Sequence, residues 1–433
     1  MLKKYFLPVL AALMLMPASL WAQDNNVQRY VNTAIKTDTL FKNAAVSLLA
    51  VDSRGRTIAA WNPDQPLLSA STLKTITTGA ALEALGPDFR YETKVALTGE
   101  TDDDGVLHGD LYIIGGGDPT LGSGSKIAED ISLVFAKWAD AIKGAGISAI
   151  EGRVIGDANI FPANLTQGNW CWLDLGADYG SAPCGLSFAE NLSFFRVEPG
   201  LEEGDSLSIT PAGAVYSRLN LQNNAATGAA GTGNKLDYYA SDLSPVGRFV
   251  GSYACDRRTD TIAVSNKFPA LTCAEAFDSY LASEGIVSGG ASLGAAPDTA
   301  RLLAATFSPS LLTICRETNT KSNNFYAETI FMTLGLYLTG EASYALAPAA
   351  VEQYIADLGC DTTGLRQDDG SGLSRQNYVS PRFFTRFYAM MAGSEDFDEY
   401  MSTFPGPGRP GTLRTVLAKA DPQLKKTIYA KSG

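Results

Sequence analysis

Leu68-Ser-Ala-Ser-Thr-Leu-Lys-Thr-Ile-Thr-Thr-Gly-Ala-Ala-Leu-Glu-Ala-Leu-Gly-Pro87 carries a serine at the head of a helical pattern and a lysine three residues on. Leu73, Ile76, Ala80 and Leu85 recur near helical spacing and Gly86-Pro87 is a stop signal, so the spacing predicts a helix over 72–85 with Ser71 at its amino terminus. Residues three apart share a helix face, which lets the Lys74 amine reach the Ser71 hydroxyl. Unsatisfied backbone N–H groups and the positive end of the helix dipole lie at the same point, where they can stabilise an oxyanion. Two readings stay open here: a nucleophile with its base, or a serine cap beside a first-turn lysine. A second Ser-x-x-Lys, Ser123-Gly-Ser-Lys126, follows a strand and a glycine-rich turn and does not open a periodic helix, so its geometry is poorer.

Two distant motifs weigh on that choice. Ser322-Asn-Asn324 lies in a helical pattern, and Lys431-Ser-Gly433 follows the strand-like Lys426-Thr-Ile-Tyr-Ala430. Ser-x-x-Lys, Ser-Asp-Asn and Lys-Thr-Gly form the motif set of β-lactamases and penicillin-binding proteins, and the order here is the same. With the further segments Leu111-Tyr-Ile-Ile-Gly-Gly-Gly-Asp-Pro-Thr120, Gly152-Arg-Val-Ile-Gly-Asp157, Trp170-Cys-Trp-Leu-Asp174 and Asp369-Gly-Ser-Gly-Leu-Ser-Arg375, the chain resembles the D-alanyl-D-alanine carboxypeptidase/endopeptidase family, the class C low-molecular-mass penicillin-binding proteins. The resemblance covers nearly all of the chain after its first residues. It implies an α+β penicilloyl-serine transferase fold whose catalytic domain comes from both ends of the chain, 23–94 plus 299–433. A large β-rich insertion, 95–298, would lie between them. The active site would sit between a helical region and a five-stranded sheet.

Carried over residue by residue, the resemblance makes Ser71 the nucleophile and Lys74 its base. Ser322 would relay a proton toward the leaving amine, and Asn324 would hold the substrate amide and Lys74, with Asn323 standing where the family usually has aspartate. Lys431 would bind the terminal carboxylate, assisted by Ser432 in place of threonine and by Gly433. The family's second oxyanion donor is the N–H of the residue after that glycine, so a C-terminally truncated sequence is expected. Asp174 and Tyr179 match a segment that contacts the free end of the meso-diaminopimelate side chain, and Arg375 could pair with its carboxylate. The expected activity is a serine-type DD-carboxypeptidase/DD-endopeptidase on peptidoglycan stem peptides, acting through an acyl-Ser71 intermediate without metal or cofactor and binding β-lactams as inhibitors. A catalytically silent peptidoglycan-binding scaffold and a β-lactamase are the alternatives.

Composition frames these expectations. With 433 residues, 45% hydrophobic and 18% charged, the chain can bury a large core in two or three domains. A formal net charge of -12 argues against a nucleic-acid partner, because nothing neutralises phosphates in a stripe. Two lysines, an apolar run and a small residue at Ala22 read as a secretory signal peptide over 1–22. No later run approaches membrane-spanning length, so a periplasmic protein with no transmembrane anchor after cleavage is expected. Six cysteines could oxidise there; Cys171 with Cys184 is the most local pairing, and unpaired thiols are an equal reading. The single histidine, His108, lies in a turn-like acidic stretch, which disfavours a serine–histidine triad. Gly115-Gly-Gly117 reads as a tight turn, since the lysine of a phosphate loop is missing. Strands are predicted over 44–52 and 57–61, a β-rich stretch over 91–299, and helices over 311–338 and 381–392.

Overall fold

The computed structural model describes residues 26–161 and 166–433. The signal peptide expected over 1–22 lies outside the described residues. The chain is α+β and divides into two units. One comprises Met1–Pro87, Leu312–Asn323 and Leu346–Gly433; the other comprises Asp88–Leu311 and Asn324–Ala345.

In the first unit, helix α1 (Lys74–Leu85) is buried at every position from Lys74 to Leu82. A helix buried all round needs no polar stripe, and its threonine hydroxyls are satisfied by backbone carbonyls: Thr75 by Thr72, Thr78 by Lys74 and Thr77 by Gly370. Gly79 lets an aromatic layer approach, since a Cβ there would lie 2.9 Å from the Phe387 ring. Phe387 belongs to the helix Pro381–Met391, whose buried face is Phe383, Phe387 and Met391 and whose N-cap Ser380 accepts the Phe383 N–H. Strands β1 (Leu48–Val51) and β2 (Thr57–Trp61) pair antiparallel, and Asp52 closes their turn by accepting the N–H groups of Arg54 and Arg56.

The helix expected over 311–338 is two helices, α2 (Leu311–Lys321) and α3 (Asn324–Thr339). Ser322 has φ of 61°, and the Asn323 N–H reaches back to Thr318 O at 3.1 Å. That is the six-to-one bond of a Schellman ending, with serine at the left-handed position usually held by glycine. The Asn319 amide locks α2 onto α1 by donating to Thr78 Oγ1 and to Thr403 Oγ1, both at 2.9 Å.

In the second unit, five strands form one sheet: β3 (Glu92–Leu97), β4 (Leu111–Ile114), β5 (Val154–Asp157), β6 (Ala291–Leu293) and β7 (Arg301–Phe307), in the order β6-β5-β4-β3-β7. The helices Ile131–Gly144 and Pro269–Ser283 supply Phe135, Trp138 and Phe277 to its core. Three three-stranded sheets complete the β-rich character expected of this stretch.

Strands β3 and β7 pair antiparallel, from Glu92 opposite Phe307 to Leu97 opposite Arg301, and both lie in the second unit. The first unit holds β1/β2 and a small sheet of Leu67–Leu68, Leu365–Arg366 and Tyr378–Val379. The strand expected over 426–430 is not formed: Lys426 ends the helix Pro422–Lys426, 427–430 pair with no strand, and the Ala430 N–H goes to Pro405 O instead. Cys184, Cys255, Cys273, Cys315 and Cys360 carry free thiols, so the local pairing weighed for Cys184 is not formed. His108 is at the surface as expected, its ring nitrogens on Glu151 and Asp102.

Candidate active site

Ser71 lies within a 3-10 turn, Ala70–Leu73, that runs directly into α1, so it is not the N-cap that the spacing suggested. The turn is entered through Ala70 at φ 44°. Gly372 presses against it: a Cβ on Gly372, itself at φ 87°, would lie 2.0 Å from Ala70 O. Lys74 is fully buried, and its Nζ donates to Ser71 Oγ at 2.9 Å and to Ser371 O at 2.8 Å. The loop that supplies Ser371 is held by the buried Asp369 carboxylate, which accepts from the N–H of Gly372 (2.7 Å), the N–H of Ser374 (2.6 Å) and the Asn377 amide (2.8 Å). Gln367 ties the same loop to α1 through Thr77 Oγ1.

The second pair is Ser322 with Lys431. The left-handed turn at Ser322 presents its hydroxyl to Lys431 Nζ at 2.9 Å, and the same amine donates to Ser432 O at 2.8 Å. Burial pushes the Lys431 amine down to about 8. Arg409 steadies the segment, donating to Ile428 O and lying 4.4 Å over the Tyr429 ring. Gly433 runs beside the entry to the serine turn, where a Cβ would lie 2.6 Å from Ser69 O. The first unit therefore assembles Ser71, Lys74, Ser322, Lys431, Ser432 and Gly433. A buried lysine on a serine hydroxyl can take its proton in nucleophilic attack, and a second lysine on another hydroxyl can hold an anion and pass a proton.

Asn324 follows Ser322 by two residues but starts α3, in the second unit. Its amide donates to Tyr179 O at 3.0 Å, and Tyr179 Oη donates to Asp174 Oδ1 at 3.0 Å. Burial and the Asp174 carboxylate push the Tyr179 phenol up to about 12. Asp174, Tyr179 and Asn324 thus form one bonded group; Arg375 is an exposed residue of the first unit. Ser123, the serine of the second Ser-x-x-Lys, donates to Glu190 Oε1 at 2.5 Å. Sequence reasoning missed three contributors: Ser371 O, Asp369 and Arg409. A backbone acceptor has no sequence signature, and the loop that supplies it is marked only by its Asp-Gly-Ser-Gly turn composition.

Residues 27–433 match the D-Ala-D-Ala carboxypeptidase 3 (S13) family. The chain belongs to this family. It is 31% identical over 362 residues to the D-alanyl-D-alanine carboxypeptidase of Actinomadura sp. (strain R39), covering 80% of this chain and 64% of that relative. To the D-alanyl-D-alanine carboxypeptidase DacB of Haemophilus influenzae it is 26% identical over 406 residues, 93% of this chain and 82% of the relative. The crystal structure of penicillin binding protein 4 (dacB) from Haemophilus influenzae superposes with a TM-score of 0.78 at 25% identity, over 89% of this chain and 83% of that one. The S13 chain described here therefore has the penicillin-binding fold that its motifs implied. Among the described residues no helix is long and apolar enough to cross a membrane.

Proposed function

We propose that this S13 chain is a serine-type D-Ala-D-Ala carboxypeptidase, and an endopeptidase on cross-linked stem peptides, that works on peptidoglycan in the periplasm after removal of a signal peptide. The observation that carries the reading is the buried Lys74 Nζ, 2.9 Å from Ser71 Oγ at the start of a helix, with Lys431 on Ser322 in the same unit. In the neutral state Lys74 accepts the Ser71 proton as Oγ attacks the carbonyl of the penultimate D-alanine. The tetrahedral oxyanion is met by the Ser71 backbone N–H and the helix dipole. Collapse breaks the peptide bond, the leaving amine takes a proton relayed through Ser322, and terminal D-alanine departs. Water then attacks acyl-Ser71 with Lys74 again as base, restoring the hydroxyl.

Lys431 holds the terminal carboxylate by charge, with the Ser432 hydroxyl as a further donor. Asn324 takes the substrate amide, and Asp174, Tyr179 and Arg375 select the diamino-acid side chain. Names of relatives support the substrate class: two are D-alanyl-D-alanine carboxypeptidases, and a penicillin binding protein 4 was solved with a bound β-lactam. The test compares the protein with Ser71→Ala, using fluorescent penicillin and a D-Ala-D-Ala peptide. A stable label and D-alanine release, both absent from the variant, are expected. Fast turnover of the label points to a β-lactamase instead, and an unlabelled wild type points to a silent scaffold.

A further inference from the structure

Ala189, Glu190 and Asn191 have φ of 53°, 55° and 52°. Left-handed backbone in L-residues is normally visited singly, and a run of three persists only where the surroundings over-determine it. Both shoulders of the run are tied down. The Ala189 N–H donates to Leu121 O at 2.9 Å, Asn191 Oδ1 accepts the Phe188 N–H, and the Asn191 amide donates to Ala182 O. The turn places the Glu190 carboxylate between two hydroxyls: its Oε1 accepts from Ser123 Oγ at 2.5 Å and from Tyr326 Oη at 3.2 Å, and those hydroxyls are 3.1 Å apart. Tyr326 is fully buried in the first turn of α3, two residues after Asn324, whose amide meets Tyr179 O. One connected network in the second unit therefore runs from the strained turn to the base of α3 and on to Tyr179 and Asp174.

We propose that Glu190 is a positioning residue: with Ser123 it clamps Tyr326, and through that ring fixes the first turn of α3 and the aim of the Asn324 amide. The proposal rests on the reading above that gives Asn324 the substrate amide; Glu190 itself touches no substrate. It also gives Ser123, the serine of the unused Ser-x-x-Lys, a task unrelated to acylation.

The test uses the full chain with Glu190→Gly, Glu190→Gln and Asn324→Ala, reading kcat and KM for D-alanine release and hydrogen exchange at amides 328–331. Glycine is at ease at positive φ, so Glu190→Gly deletes the carboxylate without straining the turn. It is expected to lower kcat by about tenfold with little change in KM, and to speed exchange at those amides. Glu190→Gln keeps an oxygen that both hydroxyls can reach and restores both readouts. Combined with Asn324→Ala, the glycine variant adds little. Wild-type kcat and exchange in Glu190→Gly overturn the proposal, as do effects of the two variants that simply multiply. Exchange is read without turnover, so the clamp is decided even if Ser71→Ala shows that the proposed activity is wrong.

Discussion

Lys431 provides a quantitative handle on the proposed chemistry. Its amine is held at about 8, down from an ordinary 10.5, because burial penalises the charged form. If its charge binds the terminal carboxylate, only the protonated fraction is competent. A group titrating near 8 is about nine-tenths charged at pH 7 and about one-tenth charged at pH 9, so carboxylate-dependent acylation falls about tenfold across that interval. Lys74 must lose its proton to act as base, which makes the chemical step rise with pH. The two trends are separated by comparing a carboxylate-bearing β-lactam with its methyl ester, since the base acts on both. The ratio of their second-order acylation rates, measured from pH 6 to 10, is expected to fall with a midpoint near 8. Lys431→Arg stays charged throughout and should flatten the ratio at a lower absolute rate. A ratio independent of pH, or an equal fall for the ester, refutes the assignment of Lys431 to the carboxylate. The stability consequence has the opposite sign. With the folded value below the unfolded one, the unfolded chain binds more protons between about 8 and 10.5, so Lys431 makes the fold more stable as pH rises through that window.

Three further outcomes follow from the same contacts. Asp369→Ala leaves two backbone N–H groups and the Asn377 amide without their buried acceptor; a loss on the order of 3 kcal/mol in urea unfolding is expected, with slower penicillin acylation because Ser371 O no longer holds Lys74. Ser322→Gly relaxes the left-handed ending of α2 and should raise stability by about 1 kcal/mol while lowering D-alanine release, since the hydroxyl that meets Lys431 is gone. His108 is the single histidine, so one imidazole resonance reports it; the hydrogen bonds its ring donates to Glu151, then to Asp102, raise its midpoint above 6.5. Its small stabilising effect is full below 6.5 and is lost as pH rises through the raised midpoint, and a midpoint at or below 6.5 contradicts the two contacts.

The legible parts of the molecule are those set by short-range geometry. Ser71 and Lys74 are one helical turn apart, so their contact follows once the helix exists, and the strands around Asp52 follow from alternation and an Asx turn. Long-range pairing was not legible. Nothing local says that β3 must pair with β7 some two hundred residues on. The same holds for Ser371 O, brought to Lys74 by a carboxylate and an asparagine acting on loop backbone, and for the 428–431 segment, steadied by Arg409.

The break at Ser322 failed for a more specific reason, and it bears on function. A helix ending is normally announced by glycine, because glycine has no Cβ penalty at positive φ. Here serine takes that position, so the apolar pattern reads straight through from α2 to α3. Ala70, at φ 44°, disguises the entry to the Ser71 turn in the same way. In each case a residue less suited to the backbone stands beside a candidate catalytic group. At 322 the reason can be named: glycine would end the helix better but would delete the hydroxyl that meets Lys431. The position keeps the hydroxyl and accepts strain on the order of 1 kcal/mol. Sequence rules built on local stability miss a helix ending where local stability has been given up.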